Sequence, residues 1–171
     1  FPVAPNLLVT SSAALGGARA VQVQAPDGSA VKVTVLRQDP RVGLALLRVE
    51  DGAMAYFAVE LKFSGGAATC PAMTEIGIFE PRTENLAVSA GAPAEPWTVT
   101  FSRHPGLPGS PMLVNDGVVG VQLAERTSKP SEIPAVTLDQ LRKFLGKDLP
   151  VAPQRAGDPT RMIYQLIVTE Q

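Results

Sequence analysis

The chain has 171 residues, 45% of them hydrophobic and 18% charged, which suits one domain or two small packed barrels. Its formal net charge of -1 provides no basic surface for nucleic acid or an anionic membrane. No window of about 20 continuous apolar residues is found, so we expect no membrane span in this segment.

Short apolar or alternating segments in the first part of the chain predict β-strands. These strands are expected at residues 6–10, 20–25, 31–36, 44–49 and 54–63. The turn sequence at residues 26–29 joins the second and third strands into a hairpin. The last strand ends at Gly65-Gly66, where we place a boundary between two barrels.

The second part shows the same pattern of short strands between proline- and glycine-rich turns. Strands are expected at residues 74–79, 85–90, 97–101, 111–114 and 118–123. With 16 prolines and 15 glycines spread along the sequence, the chain is predicted to be all-β.

One helix and one further strand are predicted near the C-terminus. Residues 137–145 favour a helix with Thr137 as N-cap, three leucines on one face and Gly146 as C-cap. Residues 150–159 have the composition of a linker. Residues 162–169 have strong β propensity, and we expect them to pair with an open edge of the first barrel. The alternative is that this strand joins a neighbouring subunit and makes a homo-oligomer.

The segment Gly106-Leu-Pro-Gly-Ser-Pro111 resembles a nucleophile loop of the form Gly-x-Ser-Gly-Gly-Pro, with Pro108 in place of the serine. Residues 9–15, Val-Thr-Ser-Ser-Ala-Ala-Leu, resemble Val-Leu-Thr-Ala-Ala-His-Val, and we expect the place of the general base at Ala13. Residues 38–49 resemble Asp-Pro-x-x-Asp-Leu-Ala-Leu-Leu-x-Val and put Gly43 in place of the aspartate. In this order the segments resemble the trypsin-like serine proteases of the HtrA-like branch.

The resemblance implies a double β-barrel, with two six-stranded Greek-key barrels that are incomplete at the N-terminus, a C-terminal helix and an extra C-terminal strand. We expect the chain to be a segment of a larger protein. Its predicted parts are a first barrel at 1–66, a second at 67–136, the closing helix at 137–146, and a linker with the extra strand at 147–171.

The same resemblance predicts a catalytically dead protease. Serine attacks only when an imidazole takes its proton and a third group orients that imidazole. Ala13, Gly43 and Pro108 supply none of these groups. Proline also lacks the backbone N–H that serves as one of two oxyanion donors in this family.

Other residues offer little replacement chemistry. Ser110 fills a small-residue position of the loop, and His104 is the only histidine in the chain. Relocated chemistry from these two residues is the remote alternative of a serine hydrolase. Cys70 has no charged neighbour in sequence, which indicates an inert thiol. One histidine and one cysteine are too few for a typical metal site, and we predict neither metal nor cofactor.

Two functions are consistent with a dead protease. The first is a structural or protein-interaction module of a larger protein. The second is a pseudoprotease that still binds an extended peptide in the former substrate cleft, with Gly106, Leu107 and Ser110 as candidate binding residues. Relatives of this kind act outside the cytoplasm, so the resemblance implies a periplasmic or secreted location. Trp97, Phe101 and Tyr164 are candidate interface anchors, or core residues.

Overall fold

The chain forms two β-sheets that share a hydrophobic core. A computed structural model describes residues 1–16, 18, 20–60, 66–73, 79–86, 97–100, 107–115, 117–123, 132–149 and 164–169. The strands in chain order are β1 (Pro2–Ala4), β2 (Leu7–Ser11), β3 (Ala20–Gln24), β4 (Ala30–Asp39), β5 (Leu44–Val49), β6 (Ala58–Val59), β7 (Gly66–Met73), β8 (Phe79–Leu86), β9 (Trp97–Thr100), β10 (Pro111–Val114), β11 (Gly117–Gln122), β12 (Glu132–Thr137) and β13 (Gln165–Thr169). The helices are α1 (Ser12–Leu15), α2 (Leu138–Leu145) and a 3-10 turn at Gly146–Asp148.

The first sheet joins the first five strands to the last one, in the order β1-β2-β5-β4-β3-β13. The predicted hairpin is confirmed, with Val23 opposite Val31 and a turn in which Asp27 Oδ1 accepts a hydrogen bond of 2.9 Å from Ser29 N. Strand β4 is longer than expected and carries a bulge between Val35 and Arg37, which leaves Val35 and Leu36 exposed.

The tail strand β13 pairs with β3 of its own chain, as expected. Five residue pairs follow one another without a bulge, from Gln165 opposite Gln24 to Thr169 opposite Ala20. Tyr164 and Leu166 pack against a small core that includes Val23. The strand therefore covers an edge of the first sheet that would otherwise present unpaired backbone groups.

The second sheet has the order β8-β7-β10-β11-β12-β9, and β6 adds to it by parallel pairing with β11. The strands predicted at residues 74–79 and 85–90 lie largely outside the described residues, and the structure shows two strands that the sequence pattern did not indicate over most of their length, β7 and the first part of β8. Pro71 lies directly opposite Pro81 in this pair. Proline weakens the sequence pattern of a strand because it cannot donate to the ladder, and for this reason the sequence did not indicate a strand around Pro71 or Pro81.

The expectation of a mainly β architecture is confirmed, while the closure of each sheet into a barrel and the domain boundaries stay predictions. Ala58–Val59 already pair with the second sheet, ahead of the boundary placed at Gly65-Gly66. Within the described ranges, no helix is long and apolar enough to cross a membrane.

One hydrophobic cluster connects the two sheets and α2. The first sheet contributes Val3, Val9, Leu44 and Leu46, and the second sheet and helix contribute Leu113, Val118, Val121, Val136, Leu141 and Leu145. Full burial of such a side chain stabilises the fold by roughly 1.5–3 kcal/mol. The relative position of the two sheets is therefore fixed by shared packing.

Helix α2 forms as predicted. Thr137 and Gln140 make a capping box, in which Thr137 Oγ1 accepts from Gln140 N at 3.1 Å and Thr137 N donates to Gln140 Oε1 at 2.9 Å. The three leucines are buried. At the other end, Arg37 of β4 donates to the Phe144 and Leu145 carbonyls and pairs with Asp148 at 2.8 Å. A cation at the helix C-terminus is favourable, so this contact ties the helix to the first sheet.

We predict that Thr137→Ala lowers the free energy of unfolding by about 1 kcal/mol, because it removes the cap acceptor. Urea denaturation measures this change. Thr137→Ser is the matched control, since serine keeps the hydroxyl and should lie within about 0.3 kcal/mol of the parent. An equal loss in both variants would show that the threonine methyl group, rather than the cap, stabilises the helix.

Candidate functional site

The loop in front of β10 is held to the end of β11 by backbone hydrogen bonds. Gly109 N donates to Gln122 O at 2.8 Å, and Gln122 N donates to Ser110 O at 2.9 Å. Ser110 N also donates to Leu107 O at 3.0 Å, which closes a tight turn around Pro108. The turn leaves Leu107 and Pro108 exposed while Gly109 and Ser110 are buried.

Gly109 brings this loop into close contact with β2. Its φ of +82° favours glycine. A Cβ atom at Gly109 would lie 2.6 Å from Thr10 Oγ1 and 2.8 Å from Ser11 N. Because the backbone of Ser11 cannot move without shifting β2, only a hydrogen atom fits at this contact.

The positions expected for base and orienting carboxylate lie on the other side of the same contact. Ala13 is an exposed residue of α1. Gly43 ends the turn before β5, and its carbonyl accepts from Ser12 N at 2.8 Å. Both residues line a cavity of about 300 Å³ with Leu123. Matched residue by residue, the histidine of the family segment falls on Ala14 rather than Ala13, and it is Ala14 that lines a cavity together with Pro108. Neither alanine, nor Gly43, nor Pro108 has a titratable side chain.

Leu123 occupies the space beside Gly43. A Cβ atom at Gly43 would lie 2.9 Å from Leu123 Cδ2, and the φ of Gly43 is +82°. A side chain there would require both a left-handed backbone and a displaced leucine. The sequence motif did not show this contact, because Leu123 is distant from Gly43 in the chain.

A second cavity of about 260 Å³ lies beside Pro108. It lies between strands of the first sheet, α1, the loop and the tail segment, it is partly open to solvent, and its wall is mainly apolar. Leu107 and Ser110, two of the candidate binding residues, line it together with Leu8, Val23, Tyr164 and Leu166. The period-two pattern of the tail strand is the sequence signal that places Tyr164 and Leu166 on one face.

The electrostatics of this second cavity are close to neutral. Its wall contains no Asp, Glu, Lys, Arg or His side chain from the described residues. The pKa of the Tyr164 phenol is raised, first by burial and then by the charge of Asp27. Two polar side chains near the loop, Gln122 and Ser11, have buried side-chain atoms for which the described residues provide no hydrogen-bond partner.

The other candidate residues have no described role in a site. Cys70 lies in β7 and Trp97 begins β9. Gly106, His104 and Phe101 lie outside the described residues. No group of three or more His, Cys, Asp or Glu side chains able to hold a metal occurs in the described part of the chain.

The fold is similar to solved structures of the Rv3671c protease of M. tuberculosis. The active form has 20% sequence identity and a TM-score of 0.69, covering 92% of this chain and 74% of that one. An inactive form has 20% identity and a TM-score of 0.68, covering 86% and 81%. An inactive serine-to-alanine mutant from strain H37Rv has 19% identity and a TM-score of 0.67, covering 89% and 82%. These similarities show a trypsin-like protease fold.

Comparison at the level of sequence gives no match, either to a model of a protein family or to a curated protein.

We predict that Gly109→Ala lowers the free energy of unfolding by more than about 3 kcal/mol, because a left-handed alanine is strained and its methyl group meets the Ser11 backbone. Gly52→Ala is the matched control. Gly52 has a φ of +90° with nothing within 4 Å of its Cβ position, so only strain of about 1 kcal/mol is expected. Chemical denaturation of both variants checks this, and equal losses would contradict the close contact.

Proposed function

We propose that this chain is a proteolytically inactive, HtrA-like domain of trypsin fold that serves as a structural or protein-interaction module of a larger protein. The observation that supports inactivity best is the contact of Leu123 with Gly43. The space beside Gly43 holds a leucine methyl group, and neither the pair Ala13-Ala14 nor Pro108 supplies a base or a nucleophile.

The chemical consequence is large. Removing the catalytic groups lowers turnover by about 10⁶-fold in a studied serine protease. Loss of one oxyanion donor lowers it by a further 10²–10³-fold, roughly, if the two losses are independent. Pro108 combines both losses, because it offers neither a hydroxyl nor a backbone N–H.

Ser110 does not restore the mechanism in this proposal. Ser110 is 7% exposed, and its side chain makes no hydrogen bond within the described ranges. A serine hydroxyl needs an adjacent base to become a nucleophile. A relocated hydrolase therefore remains the least supported of the candidate functions.

The interaction role is supported by exposed apolar side chains. Val35 and Leu36 are neighbours at the bulge of β4, and Ile167 is exposed on the tail strand. Exposed apolar residues of this size on the surface of a sheet are suited to contact with another protein surface.

A peptide-binding groove is the second candidate, and the exposed tip of the loop favours it. Leu107 and Pro108 present apolar surface next to the β10–β11 hairpin. An extended peptide can bind by main-chain hydrogen bonds and side-chain pockets without any catalytic group.

We expect the purified chain to show no labelling by a fluorophosphonate probe, because such a probe requires an activated serine. Intact-mass spectrometry measures labelling, with trypsin as the positive control. Labelling that disappears in Ser110→Ala would overturn the proposed inactivity and favour the relocated hydrolase.

A library of extended peptides separates the two binding roles. Pro108→Trp places a bulky ring at the exposed loop tip, and Pro26→Trp places the same ring at the exposed turn between β3 and β4. Saturable binding of a peptide that weakens at least about 10-fold only in Pro108→Trp would favour the groove. Absence of such binding is the result expected for the interaction module.

A further inference from the structure

The cavity beside Pro108 has a wall that the tail strand completes. Leu8 and Leu47 come from the centre of the first sheet and Val23 from β3, while Tyr164, Gln165 and Leu166 come from the tail. Leu107 and Pro108 form part of the opposite side. Five separate segments of the chain thus line one partly open space of about 260 Å³.

We propose that this cavity binds a small, neutral, mainly apolar molecule with a single hydrogen-bonding group. This binding site goes beyond the proposed interaction role, and it does not depend on whether the domain hydrolyses peptides.

The size of the cavity sets the size of its ligand. An engineered apolar cavity of about 150 Å³ in another protein stays dry and binds benzene. A space of about 260 Å³ is larger than this. It therefore suits a molecule of two or three fused or linked rings, or a chain of roughly ten carbons.

The chemistry of the wall sets the charge of the ligand. Among the described residues that line the cavity, none carries a charged side chain. A charged ligand would lose its hydration without gaining a counter-charge, which is unfavourable. A neutral apolar body would instead gain contact with the leucine and valine side chains.

A few polar groups remain for orientation. Thr10, Ser110 and Tyr164 provide hydroxyl groups in the wall, and Gln165 provides an amide. No hydrogen bond involving the side chain of Thr10, Ser110 or Tyr164 is found in the described part of the chain. One donor or acceptor on the ligand therefore has partners available, as is usual in pockets for small molecules.

Titration with N-phenyl-1-naphthylamine, a neutral apolar probe whose fluorescence rises in an apolar site, tests the proposal with the full chain. We expect saturable binding of one probe per chain with a Kd of about 10–200 µM. Ala14→Leu fills part of the cavity and should weaken binding at least about 10-fold. Ala13→Leu is the matched control, because Ala13 is its neighbour in α1 but lines the other cavity. Binding that is absent, or equal in both variants, would overturn the proposal.

A second pair of variants avoids any dependence on how well Ala14→Leu folds. Leu107 and Leu36 are both 37% exposed, and only Leu107 lines the cavity. Leu107→Asp introduces a charge at the wall and should weaken probe binding at least about 10-fold, whereas Leu36→Asp should leave it unchanged. Equal affinities would contradict the assigned site, even if Ala14→Leu were unfolded.

Hydrogen exchange locates the bound probe independently. If the tail strand can open only after the ligand leaves, amides of β13 should exchange more slowly by the factor 1 + [L]/Kd, about 10-fold at ten times Kd. Amides at the far edge of the second sheet, in β8, should keep their rates. Uniform protection, or none in β13, would show that the probe binds elsewhere.

Discussion

The close contact between Gly109 and β2 determines the geometry of the whole candidate site. With a Cβ position only 2.8 Å from Ser11 N, the loop can lie on β2 only because residue 109 has no side chain. This contact therefore fixes the positions of the residues on either side of it. Pro108 faces one cavity, and Ala13 and Gly43 face the other. A protein interior this close-packed transmits a shift of one segment directly to its neighbours.

The core of the fold does not depend on Ala13, Gly43 or Pro108. The cluster of Val9, Leu44 and Leu46 with Val121 and Leu141 joins both sheets and the helix, and it contains none of these three residues. Small or rigid residues at these three positions therefore cost little in packing. What they leave behind is space, which Leu123 occupies beside Gly43.

The sequence predicted the elements that depend on residues close together in the chain. It did not predict the features that depend on contacts between residues far apart in the chain. The hairpin around residues 26–29 and the capped helix α2 follow from turn residues, period and capping groups. The pairing of β7 with β8 around Pro71 and Pro81 was not predicted, because proline weakens the sequence pattern of a strand. The contact of Leu123 with Gly43 joins residues that are 80 positions apart, so no local sequence pattern indicates it. For the same reason, the candidate residues around Pro108 could be named from the motif, but the cavity beside them could not.

The tail strand shows how one added element changes both stability and surface. Paired with β3, it covers that strand's edge and shields Val23 and Leu47 together with its own Leu166. Its sequence Gln-Leu-Ile-Val-Thr has no charge or proline, the devices that usually protect an edge from further pairing. Removal of the strand would therefore expose the inner wall of the cavity. When the strand is paired, its own outer side forms an uncharged edge of the sheet, on which Ile167 is exposed. The cavity and the edge are two consequences of the same pairing, so a change that loosens β13 should alter both together.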